Sequence, residues 1–91
     1  MPRYFFDLHN DTEAPDYEGK VLPDVEAAKA DALDEARAMI KASIDETGRI
    51  DLRHYISVRD ESGAVVFNMH FEDAVAVQRG EQVLSRPSAA G

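Results

Sequence analysis

The stretch Asp24–Glu46, DVEAAKADALDEARAMIKASIDE, decides the fold. It is rich in alanine, leucine, methionine and charged residues, all good helix formers. Val25, Ala28, Ala32, Ala36, Ile40 and Ile44 recur at helical spacing, and Leu33 and Met39 widen the stripe. Glu26, Asp31, Asp34, Arg37 and Lys41 fall on the side left for water. Pro23 disfavours helix at Leu22, and Asp24 is a good N-cap because its carboxylate can accept free backbone N–H groups. Glu26 suits the positive end of the helix dipole. Gly48 is the natural stop. The many alanines predict that this helix sits very close to whatever it covers.

The flanks alternate with period two, as strands do. In Arg3–His9, Tyr4, Phe6 and Leu8 share one face; Arg3, Phe5, Asp7 and His9 share the other. Asn10–Lys20 is an acidic loop with Pro15 and Gly19, expected to be solvated and mobile, with a short extended piece near Lys20-Val21-Leu22. Leu52–Arg59 reads as a second strand and Ala64–Phe71 as a third, joined by the hairpin turn Asp60-Glu61-Ser62-Gly63. Glu72–Gln78 is expected to form a short helix that closes the core with Val75. Residues 1–78 form one domain in this reading, and 79–91 a flexible tail. The expected fold is α+β: one long helix packed on one face of a three- or four-stranded, mostly antiparallel sheet. Its core is built from Tyr4, Phe6, Leu8, Ile56, Val58, Val65, Phe67 and Met69. A right-handed helical crossover would make the first two long strands parallel, placing His9 and His70 at opposite ends of the sheet, on the order of 20 Å apart.

Ten Lys and Arg against 18 Asp and Glu leave a net charge of −8. Such a chain repels phosphate backbones and anionic lipid, so neither nucleic acid nor membrane is an expected partner. With no cysteine, disulfides, thiolate metal sites and cysteine nucleophiles are excluded. Asp7 interrupts the apolar start, no signal core is seen, and the expected location is the cytoplasm.

Met1-Pro2-Arg3-Tyr4-Phe5-Phe6 with His9, then Gly19, Leu22-Pro23-Asp24 and Glu26-Ala27-Ala28, resembles a family of small bacterial proteins described as a domain of unknown function. Asp60-Glu61-Ser62-Gly63, Val65 and Phe71-Glu72-Asp73-Ala74 resemble its second half, so the likeness spans about Pro2 to Val75. It implies a compact cytoplasmic α+β protein and no particular activity. Members of that family often carry histidine where this chain has Asp7.

The sharpest chemical motif is Asp7-x-His9-x-Asp11. On one strand these side chains share a face at about 7 Å per two-residue step, and their donor types suit a divalent metal. The acidic loop fails the EF-hand pattern: counting from Asp11, Pro15 stands at the fifth position and Asp16 where glycine is required. No serine lies in a nucleophile elbow and no glycine run cradles phosphate. His54 reads as a partly buried histidine with a hydrogen-bond partner. Neither an enzyme nor a cofactor is expected.

One helix covers one side of the sheet. The reverse side carries Phe5, Tyr55 and Val66 as apolar anchors, with Arg53, Arg59 and His70 among them. The leading expectation is a non-catalytic module that pairs with itself, or with another protein, through this face. One alternative is a small metal- or ligand-binding domain using Asp7, His9 and Asp11. Another is an antitoxin-like regulatory partner of a basic protein, by fold analogy alone.

Overall fold

The computed structural model describes residues 1–80 and 82–85, the last four by backbone path. The elements run β1 (Arg3–His9), β2 (Glu13–Ala14), β3 (Lys20–Val21), α1 (Val25–Thr47), β4 (Tyr55–Arg59), β5 (Val65–His70), α2 (Phe71–Ala74), β6 (Val77–Arg79) and β7 (Gln82–Ser85). The main sheet has five strands in the order β2-β1-β4-β5, with β3 also on the outer edge of β1. The architecture is α+β, one long helix on an antiparallel sheet. Across the expected domain end at residue 78, β6 and β7 pair as a separate antiparallel ribbon. The rest of the expected tail, residues 81 and 86–91, lies outside the described residues.

Helix α1 begins and ends as its caps dictate. The Asp24 carboxylate accepts a hydrogen bond from the Ala27 N–H at 2.8 Å. Gly48 adopts a left-handed φ of 71° and returns its N–H to the Ile44 carbonyl. Ala28, Ala32, Ala36 and Ile40 are buried at four-residue spacing, the three alanines completely. With no side chain beyond Cβ at these positions, the helix lies nearly backbone-close on Tyr4, Phe6, Ile56, Val58 and Met69, which form the core with Phe71 and Ala74.

Beyond Ile40 the helix runs out of sheet. At 1.5 Å per residue α1 is roughly 35 Å long, whereas a five- to seven-residue strand spans roughly 17–24 Å. The last turns overhang, which is why Ile44 is exposed although its spacing continues the buried stripe.

The crossover expectation is corrected here. β1 and β4 are antiparallel. After β1 the chain does not enter the helix at once. Residues 10–22 first return along the outer edge of β1, pairing through Glu13–Ala14 and again through Lys20–Val21, until Leu22 donates to the Pro2 carbonyl. The helix therefore starts where β1 started and delivers the chain into β4 where β1 ended. That return leg reverses β4.

Two side-chain assignments change as well. Val66 is the extra residue of a bulge: Val58 pairs with Phe67, but Arg59 pairs with Val65. A bulge shifts the alternation by one. Val66 consequently packs against the core, and Val65 stands out in solvent. The second long strand also starts late. The Asp51 carboxylate accepts the Arg53 N–H at 2.9 Å, an Asx-type turn that keeps Leu52 and Arg53 out of the sheet.

Gly19 allows the returning loop to close on β1. Its φ is 70°, and a Cβ there would meet the Tyr4 carbonyl oxygen at 2.8 Å and Arg3 Cγ at 2.9 Å. Gly48 has the same backbone conformation with open space around it. Gly48→Ala should cost only the left-handed penalty, about 1 kcal/mol. Gly19→Ala should cost about 3 kcal/mol because a backbone clash is added. Urea unfolding of the two variants checks the ordering; equal losses would contradict the close approach.

Candidate functional site

The reverse face of the sheet is a grid set by strand register. Phe5, Arg59 and Val65 form one row, Asp7, Ser57 and Asn68 the next, and His9, Tyr55 and His70 the third. Directly opposed residues in antiparallel strands share a face. Each row is knit across the strands. The Arg59 guanidinium lies 5.1 Å from the Phe5 ring centroid. The Ser57 hydroxyl donates to Asn68 Oδ1 at 2.7 Å. The His9 ring stacks on Tyr55 at 4.4 Å, and Tyr55 meets His70 at 5.1 Å. His9 and His70 thus flank one tyrosine, not opposite ends of the sheet. This corrects the parallel-strand expectation: reversing β4, and with it β5, brings the two strand ends together.

Asp7 is buried at the centre of this face. Arg59 donates to it twice, from Nε at 2.5 Å and from Nη2 at 3.1 Å. The Asp16 N–H adds a third bond at 2.8 Å. The Arg59 hydrogen bond, first of all, holds the Asp7 carboxyl below its ordinary value, against the opposing effect of burial. Asp16 is the hub of the loop. Its carboxylate accepts the N–H groups of Phe6, Glu18 and Gly19, each at 3.1 Å, and its carbonyl accepts from Arg59. Burial pushes Asp16 up, but the three backbone donors outweigh it and hold the group low. The acidic loop is therefore pinned, not loose. Its alternating acids gave no sign of this, because the signal lies in hydrogen bonds to β1.

The structure does not bring Asp7, His9 and Asp11 together as one ligand set. Asp7 is spent on Arg59, and His9 Nδ1 pairs with Glu13. Asp11 lies past the end of β1, beside His54. Among the interface candidates, Phe5, Tyr55, Arg59 and His70 sit on the reverse face. Val66 does not, because of the bulge, and Val65 takes its place. Arg53 does not either; it is exposed and paired to Asp51 Oδ2 at 2.7 Å.

The overhang of α1 creates a second feature. Two cavities, about 290 Å³ and about 550 Å³, meet under its last turns and share Ser43, Ile50, Asp51 and His54. His54 Nε2 is buried and has no hydrogen bond, alone among the buried side-chain nitrogens and oxygens of the described residues. It lies 3.4 Å from Asp51 Oδ2 and 3.7 Å from Asp11 Oδ1. Hydrogen bonds from the Arg53 guanidinium, and then from its backbone N–H, hold the Asp51 carboxyl well below the usual carboxylate range. A larger cleft of about 660 Å³ runs between α1 and the returning loop; Lys20 bridges its acidic wall to Asp31 at 2.7 Å.

A family model described as Domain of unknown function (DUF6894) matches residues 3–72. The chain belongs to this family. No curated protein and no solved structure matches it. The DUF6894 match spans the whole main sheet, α1, the returning loop and His54, and leaves the β6–β7 ribbon outside. All nine positions of this grid are thus part of the DUF6894 domain itself. Among the described residues no helix is long and apolar enough to cross a membrane.

Proposed function

We propose that the protein is a non-catalytic interaction module whose partner is a second copy of the same chain, docked through the reverse face of the sheet. The observation that carries this reading is the charge of that face. Its formal charges cancel: Asp7 and Arg59 neutralise each other in an ion pair, and Arg3 and Glu13, placed on the same face by the register of β1 with its edge strands, add one charge of each sign, whereas the chain as a whole carries −8. Two copies meeting here bring together aromatic rings, Val65 and polar groups without a net repulsion. Most other approaches set acid against acid.

The face is also preorganised. Phe5, His9, Tyr55, Arg59 and His70 are only half exposed because they lie against one another. Little side-chain freedom is left to lose on docking, which lowers the cost of association. Val65, 55% exposed, is the free apolar group the bulge adds to the face. The same bulge twists the edge of β5, which disfavours edge-to-edge strand pairing and leaves stacking of faces as the better mode.

Sedimentation equilibrium over a wide concentration range tests this. Wild type should approach twice the monomer mass, and Phe5→Glu and Val65→Glu should each shift it to monomer. Val65→Glu guards against misfolding as the cause, since Val65 packs little. A monomer at every concentration, or a dimer indifferent to both substitutions, would refute the proposal.

A further inference from the structure

We infer that Asp11, Asp51 and His54 form a zinc site under the overhanging end of α1, with the fourth coordination position open to the adjoining cavity. This inference is independent of self-association, since none of the three residues lies in the reverse-face grid.

The argument starts from His54 Nε2. It is buried, makes no hydrogen bond, and has two carboxylate oxygens as its nearest charged neighbours. Carboxylates only accept, so Nε2 must turn something positive towards them, either its own proton or a bound cation. At 3.4 and 3.7 Å the gaps are longer than a good N–H···O bond. They match the spacing of ligands around zinc instead. Ligand bonds of about 2.1 Å at tetrahedral angles separate neighbouring donor atoms by roughly 3.4 Å.

The three ligand atoms all lie within 4.8 Å of one another. The widest gap can close cheaply, because the Asp11 side chain is 92% exposed and free to rotate inward. Asp51 needs no such movement. Arg53 grips both of its oxygens, at 3.0 Å and 2.7 Å, the kind of outer hydrogen bonding that orients a ligating carboxylate. Charge is also of the right sign, as the two carboxylates and the Arg53 guanidinium leave a net −1 to receive a cation. An imidazole with two carboxylates suits zinc better than magnesium or calcium, which prefer all-oxygen shells. Three protein ligands with room for water are the pattern of an open zinc site.

The other two histidines complicate the site's identity and supply its control. His9 stacks on Tyr55 and pairs with Glu13, while His70 packs on the far side of Tyr55. The test is isothermal titration of the metal-stripped full chain with zinc chloride. Wild type should bind one zinc. Asp11→Asn and His54→Ala should each weaken binding by about 10–100-fold, while His9→Ala and His70→Ala leave it unchanged. Asp11→Asn protects against a folding artefact, because that side chain is almost wholly in solvent. With Co²⁺ in place of zinc, the His54 imidazole resonances should broaden first. The inference is overturned if wild type binds no zinc, if Asp11→Asn and His54→Ala bind as wild type does, or if His9→Ala alone abolishes binding.

Discussion

Ala32→Leu should destabilise the protein by about 3 kcal/mol, although it replaces a helix former with another and adds apolar surface. Ala32 is completely buried, midway between Ala28 and Ala36, which are equally inaccessible. Three further carbons have no cavity to enter there. The helix would have to lift from β4 and β5 or the leucine adopt a poor rotamer, and lifting would also loosen Ile56 and Val58 beneath it. For a domain of this length such a loss is a third to three fifths of a total stability of about 5–9 kcal/mol. Ala30→Leu is the control, because Ala30 is exposed on the same helix. It should change stability by less than about 0.5 kcal/mol. Urea unfolding monitored by circular dichroism measures both. A neutral Ala32→Leu would mean that helix and sheet are not in close contact.

Asp16→Ala should cost a similar amount, about 3 kcal/mol, for a different reason. Between the two short strands that line β1, no backbone acceptor reaches the Phe6 N–H; the Asp16 carboxylate supplies one. It satisfies Glu18 and Gly19 at the same time. Removing it strands the part-buried Phe6 and Gly19 donors at about 1–2 kcal/mol each, while the exposed Glu18 N–H turns to water. It also frees the loop whose backbone feeds Asp7 and Arg59.

The pH dependence follows with its sign. The carboxyls of Asp7 and Asp16 are both held below the ordinary value of 3.8 in the folded chain. At pH values around and below that point the unfolded chain binds more protons than the folded one. The stability these two groups contribute is therefore fully present above about pH 5 and is lost as acid carries the pH down through their folded values. Asp16→Ala should flatten the acid limb of a stability–pH profile as well as lower its plateau. An acid limb as steep as that of wild type would show that Asp16 does not carry this linkage.

How much was readable along the chain depended on how local the physics was. The limits of α1 follow from Asp24, Pro23 and Gly48, whose effects act within one turn. The turn at Asp60–Gly63 follows from its residue types. The core face of β1 follows from the alternation of Tyr4, Phe6 and Leu8. The metal motif Asp7-x-His9-x-Asp11 failed because it assumed that β1 keeps its ligands for itself. Asp7 found Arg59, fifty-two residues away, and His9 found Glu13 on a returning edge strand. The cluster that does form needs Asp51 and His54, and no spacing rule joins them to Asp11.

The amino-acid order by itself determined the helix, its caps, the hairpin and the side of β1 that turns inward, because each rests on backbone geometry and on neighbours within a few residues. Only the tertiary structure decided the direction of β4, the bulge that exchanges Val65 for Val66, the His9–Tyr55–His70 row and the meeting of Asp11 with His54. Those depend on where a pinned thirteen-residue return, residues 10–22, releases the chain into α1, and on how far that helix outruns the sheet beneath it. Both are properties of the assembled path and leave no mark in any short window of residues.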